Sequence, residues 1–95
     1  MKYDCIIIGA GPAGVSAAIY LKRANKKVCL IEKNVPGGKL NTISTIENYL
    51  GFDSITGPDL SLNLYKQINK LNIELKNEEA ISIESFTDKK IVETN

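Results

Sequence analysis

Gly9, Gly11 and Gly14 stand in the spacing G-x-G-x-x-G, and an acidic residue, Glu32, follows Gly14 by 18 positions. Each glycine suits a task that a side chain would obstruct: a tight turn at Gly9, close approach of backbone to a pyrophosphate at Gly11, and close packing of helix on sheet at Gly14. A diphosphate would then lie at a helix N-terminus, where free N–H groups and the helix dipole favour anions. A carboxylate at the position of Glu32 accepts hydrogen bonds from ribose hydroxyls and repels a 2′-phosphate. The spacing therefore points to FAD or NAD at this site rather than NADP. Taken alone, three glycines also describe any glycine-rich loop, so the flanking elements have to carry the argument.

Those elements fit. Tyr3 to Ile8 is a short run rich in β-branched residues, and Cys5 to Ile8 is apolar without alternation, the pattern of a parallel strand covered on both faces. The glycines open a helix over Ala13 to Ala24, with Pro12 at the first helical position. Gly14, Ala17, Ala18 and Leu21 are expected on its inner face. Lys22, Arg23, Lys26 and Lys27 cluster at the far end, where cations complement the dipole. Lys27 to Glu32 reads as a second strand, which completes a βαβ unit with a right-handed crossover.

Lys33 to Ile55 shows no sustained period but keeps Leu40, Ile43, Ile46, Tyr49, Leu50 and Phe52, so this long loop is expected to be ordered and functional. Thr56 or Gly57 caps a second helix, with Pro58 and Asp59 in its first turn. Leu60, Leu64, Ile68 and Leu71 follow at helical steps. Ile73 to Lys76 reads as a third strand, and Ala80 to Ser85 with Lys90 to Thr94 as a β-hairpin having one wet face. The fold class is α/β: a Rossmann-like FAD/NAD(P)-binding βαβ unit with a second helix, a third parallel strand and a hairpin. A strand as apolar as Cys5 to Ile8 should be central, yet only two other parallel candidates exist. The sheet is therefore expected to be incomplete and the chain to be a piece of something longer.

Composition excludes several function classes. Twelve basic residues stand against 11 acidic ones, with no concentrated positive field, which argues against nucleic acid and against a polybasic membrane anchor. Histidine is absent, and with it the usual general base near neutral pH and the commonest metal ligand. Cys5 and Cys29 are too far apart for a CxxC pair or a zinc cluster and are expected to be buried, reduced and inert. Asp4 and the Gly/Pro-rich stretch after it interrupt any signal peptide, leaving the cytoplasm as the expected location.

Three stretches, YDCIIIGAGPAGVSAAIYLKRAN, IEKNVPGGKL and TIENYLGFDSITGPDL, resemble in order and spacing the N-terminal part of the FAD domain of bacterial-type thioredoxin reductases. In that family the GG-Q-L and ENYPGF segments wrap the flavin. The resemblance thus implies that Gly37, Gly38, Lys39, Leu40, Thr42 and Asn48 lie near FAD, joining Gly9, Gly11, Pro12, Ala13, Gly14, Glu32 and Lys33 in the expected cofactor-binding set. It also implies electron flow from NADPH through FAD to a CxxC disulfide and on to thioredoxin, in a protein that is a homodimer when complete. Lys39 replaces the usual Gln and Leu50 the usual Pro. Glu47 and Asp53 read as surface charges.

The CxxC and the NADPH domain lie, in that family, beyond the stretch present here. Residues 1–95 are accordingly expected to be a truncated portion of an FAD-binding domain, without catalytic residues and inactive alone. Competing readings are a reductase of ferredoxin or flavodoxin with the same flavin domain, a non-catalytic FAD- or ADP-binding module, and a short NAD-binding Rossmann protein.

Overall fold

The computed structural model describes residues 1–95. Strand β1 (Cys5–Ile8) leads through the glycine turn into helix α1 (Pro12–Arg23) and back to strand β2 (Val28–Ile31). A 3-10 turn at Gly38–Thr42 precedes helix α2 (Gly57–Lys70), strand β3 (Glu74–Lys76) and the hairpin β4 (Ala80–Ser85) and β5 (Lys90–Thr94). The first three strands form one parallel sheet in the order β1-β2-β3, and the hairpin is a separate antiparallel pair.

All four residues of β2 are buried, because β2 alone has neighbours on both sides. Its register runs Cys29 beside Ile6 and Glu74, and Leu30 beside Ile7 and Leu75. Alternation sends Val28 and Leu30 toward the helices. There they join Val15 and Ala18 of α1, Leu64 and Ile68 of α2, and Ala10 and Ile73 in one apolar cluster. Burial of this kind contributes about 25 cal/mol per Å² of apolar surface and holds both helices on the same side of the sheet.

The second helix begins as expected: the Thr56 hydroxyl accepts from the Asp59 N–H at 3.2 Å, with Pro and Asp in the first turn. The loop from Lys33 to Ile55 is ordered by the 3-10 turn and by an antiparallel bridge between Ile46 and Ile55. Both strands of the hairpin have the expected bounds.

Strand β1 lies at an edge of this three-stranded sheet, with β2 on one side only. Three expectations need correction. Ala17 is exposed and Val15 takes its place on the inner face of α1, because the helix turns its 15/18 stripe to the sheet. The hairpin has no covered face: Ile81, Ile83 and Ile91 are all exposed, because β4 and β5 pair with one another and nothing layers over them. Cys29 is buried, but Cys5, on the edge strand, is only half-buried; both are free thiols.

Candidate dinucleotide site

At the carboxyl end of β1 the chain must turn at once into α1. Gly9 does so with φ at +105°, in the left-handed region where a side chain is strained. Gly14 is required for space instead: a Cβ there would lie 1.9 Å from the Gly9 carbonyl oxygen and 3.3 Å from the Ile7 side chain. Gly11 differs from both. It caps α1 with φ at −79°, and a Cβ on it would meet nothing within 4 Å. Neither backbone conformation nor packing within this chain calls for glycine at position 11.

The two helices begin differently. Helix α2 has a side-chain cap and an acid in its first turn, whereas α1 has neither. The first N–H groups of α1 therefore lack side-chain acceptors, and the positive end of its dipole is not neutralised locally. Pro12 occupies the first turn of α1, and Ala13 beside it is exposed.

Glu32 lies immediately after β2 and is only 8% exposed, which rules out a solvated strand-end charge. One carboxylate oxygen accepts from the Ala10 N–H at 2.8 Å and the other from the Asn34 N–H at 3.0 Å. Glu32 thus ties the glycine turn to the loop after β2, a structural task that the spacing alone did not reveal. A carboxylate has roughly four lone-pair sites, so two remain for further donors. A cleft of about 220 Å³ opens beside it, lined by Ile8, Gly9, Ile31, Glu32, Lys33, Glu78, Glu79 and Ala80.

The GG pair folds onto the same place. The Gly37 N–H donates to the Ala10 carbonyl at 2.8 Å, and a Cβ on Gly38 would come 3.9 Å from the Glu32 carboxylate. Gly37 has φ at +96° and is buried against α2, where a Cβ would lie 2.0 Å from the Ser61 hydroxyl. The Ser61 hydroxyl is itself buried with no hydrogen-bond partner. Leu40 packs against the core cluster. Lys33, Lys39 and Thr42 are exposed, and the Thr42 hydroxyl donates to the Lys39 carbonyl at 2.8 Å.

The structure thus gathers Gly9, Gly37, Gly38 and Glu32 about Ala10, next to the start of α1. Asn48 lies apart, exposed in a cleft of about 580 Å³ formed wholly by residues 47 to 53, where Tyr49 and Phe52 stack at a tilt and Leu50 is fully exposed.

Two features of this region escaped the sequence reading. Gly57 is needed because a Cβ would lie 1.7 Å from the Leu40 carbonyl oxygen, and its N–H donates to the Ile43 carbonyl at 2.9 Å; the Thr-Gly-Pro signal gave the cap but not this docking. Asn77, beyond β3, donates to the carbonyls of Glu32 and Asn34 at 2.9 and 2.8 Å, and no local pattern marks it.

On the opposite face of the sheet from the helices, the Tyr3 hydroxyl donates to the Glu74 carboxylate at 2.5 Å, with the Cys29 thiol at 4.0 Å from the same oxygen. The bond to Glu74 holds the Tyr3 hydroxyl protonated well above the ordinary tyrosine range. Burial pushes the Cys29 thiol up. A thiol held protonated is a poor nucleophile.

A parallel βαβ unit with a glycine turn, an uncapped first helix and a carboxylate at the end of the second strand defines the Rossmann-like class of α/β folds. Residues 3–95 match the family described as Pyridine nucleotide-disulphide oxidoreductase, and the chain belongs to that family. The Thioredoxin reductase of Ureaplasma parvum is 49% identical over 81 residues, 85% of this chain and 26% of that protein. The chain thus spans about a quarter of the length of this relative. The crystal structure of Lactococcus lactis Thioredoxin Reductase matches with a TM-score of 0.94 at 42% identity, covering 98% of this chain and 31% of the other. A Ferredoxin-Flavin Thioredoxin Reductase from Clostridium acetobutylicum matches at 0.91 and 39%, covering 99% and 33%.

Proposed function

We propose that residues 1–95 are a portion of an FAD-binding domain of a thioredoxin reductase-like flavoprotein. The observation that carries this reading is Gly11: its conformation and surroundings leave a side chain free space, so the need for glycine comes from a group outside the chain. A diphosphate at the uncapped start of α1 satisfies that need and the orphan N–H groups together. Glu32 is the ribose acceptor, with two lone-pair sites to spare and a position already fixed by Ala10 and Asn34.

Gly9, Pro12, Ala13 and Gly14 shape the diphosphate turn, and Lys33 borders the cleft beside the adenosine. Gly37, Gly38, Lys39, Leu40, Thr42 and Asn48 would hold the remainder of FAD. When bound, FAD would supply the capacity to take two electrons from a donor and pass them on. The chain's own residues bind and orient it; none of them is assigned a proton-transfer role. In the complete protein the donor would be NADPH, the acceptor a disulfide and then thioredoxin, in a cytoplasmic homodimer. The likeness to a Ferredoxin-Flavin Thioredoxin Reductase favours a second reading of the donor, ferredoxin in place of NADPH.

The test is cofactor identity and affinity. The protein should purify yellow and release FAD rather than FMN. Glu32→Ala should weaken FAD by at least one charge-assisted hydrogen bond, ~1.5 to 3 kcal/mol. Absence of flavin together with unchanged affinity in Glu32→Ala would refute the assignment. In the complete protein, reduction of the flavin by NADPH or by reduced ferredoxin, followed anaerobically, separates the two donors.

A further inference from the structure

The main chain around Glu32 is held from outside the βαβ unit. The Glu32 N–H donates to the Lys76 carbonyl at 3.0 Å, extending the β2–β3 ladder by one step. The next residue on that side, Asn77, turns its amide nitrogen onto both Glu32 and Asn34 carbonyls, at 2.9 and 2.8 Å. These two carbonyls bracket the turn whose Asn34 N–H holds one carboxylate oxygen of Glu32. Every contact that fixes the direction of the carboxylate therefore comes either from the glycine turn, through Ala10, or from the short turn closed by Asn77. Both acceptors of Asn77 are carbonyls, which fixes its amide with nitrogen inward and makes it irreplaceable by an acid of the same size. Asn77 itself is exposed and outside the apolar cluster.

We propose that Asn77 is a positioning residue for adenosine recognition: it closes the 32–34 turn so that the Glu32 carboxylate keeps its two free lone-pair sites toward the cleft, and thereby sets the preference for a free 2′-hydroxyl over a 2′-phosphate. This rests on the ribose role of Glu32 proposed above. With Asn77 released, the Asn34 N–H turns away, and the carboxylate is tethered at one oxygen and swings. Affinity for adenosine-bearing ligands falls. Rejection of a 2′-phosphate falls with it, because the negative charge is no longer held against that position.

The experiment is a double-mutant cycle on the flavin-free protein, with affinities for FAD, ADP and 2′-phosphorylated ADP measured for the parent, Asn77→Ala, Asn77→Asp, Glu32→Ala and Asn77→Ala/Glu32→Ala, alongside thermal melts. Asn77→Ala should weaken FAD and ADP by about tenfold, the scale of one or two lost hydrogen bonds. Asn77→Asp should weaken them more, since it sets a carboxylate against two carbonyls. In the Glu32→Ala background the Asn77 substitution should cost less than about twofold, because little remains to position. The preference for ADP over its 2′-phosphate should shrink in both Asn77 variants. Equal losses in both backgrounds, or an unchanged preference, would overturn the proposal and leave Asn77 a fold-holding residue. If Glu32→Ala alone changes neither FAD nor ADP affinity, the ribose reading itself fails and this proposal with it; a clear Glu32 effect beside a silent Asn77 overturns the positioning role alone.

Discussion

Alanine at Gly11 and alanine at Gly14 should separate ligand binding from folding. At Gly14 the added methyl would sit 1.9 Å from a backbone carbonyl oxygen, which cannot rotate away, so α1 has to lift from β1 along its first turn. Overpacking of this kind costs about 1 to 3 kcal/mol, and a clash with backbone belongs at the upper end. For a domain of this size each kcal/mol lowers Tm by roughly 4 to 8 °C, so Gly14→Ala should melt at least ~10 °C below the parent. At Gly11 the methyl meets nothing and φ is already negative, so the cost is confined to exchanging one N-cap residue for a poorer one, below ~1 kcal/mol. Its damage falls on the ligand, whose diphosphate would occupy the same space. Circular-dichroism melts of the flavin-free protein and titration of FAD by flavin fluorescence quenching read the two effects separately. A Gly14→Ala melt within a few degrees of the parent, or full FAD affinity in Gly11→Ala, would refute the reasoning.

Gly37→Ala should destabilise by ~2 kcal/mol or more in chemical denaturation, since it combines a left-handed backbone with a Cβ pressed onto the Ser61 side chain; parental stability would mean the loop and α2 part easily. Ser61→Ala should be neutral or stabilising by up to ~1 kcal/mol, because it removes a buried hydroxyl that has no partner, and a loss of stability would show that the hydroxyl is bonded in solution. Because burial raises the Cys29 thiol, the folded state stays protonated where the unfolded thiol, with an ordinary pKa of about 8.5, already ionises. That contribution is intact below this value and is lost as pH rises above it. Cys29→Val should therefore flatten the fall of Tm between neutral and alkaline pH, and an unchanged slope would argue against it. Lys39→Gln should leave Tm unchanged, the side chain being exposed, and should lower the flavin reduction potential by an amount that shrinks at high salt; an unmoved potential at low salt would mean that the Lys39 charge does not reach the flavin.

What the sequence by itself determined is local or periodic. The run Cys5 to Ile8, the three glycines, Pro12 and the apolar stretch before Glu32 specify strand, turn, helix and strand, because each signal acts within a few residues. Thr56 as cap and the bounds of the hairpin were legible for the same reason. Position along the chain could place Glu32 at a strand end but could not show its carboxylate bridging Ala10 and Asn34, since those partners meet only when β1, β2 and the loop converge. The GG pair was legible as a motif. Its reason, a left-handed Gly37 wedged against Ser61 some two dozen residues on, depends on how α2 docks. Asn77 carried no signal at all, because an exposed Asn after a strand reads as an ordinary turn residue until the sheet brings it beside residue 32. Strand β1 was legible from its apolar run, but its register, Cys5 beside Val28 through Ile8 beside Ile31, is set only when the crossover helix brings the two strands together.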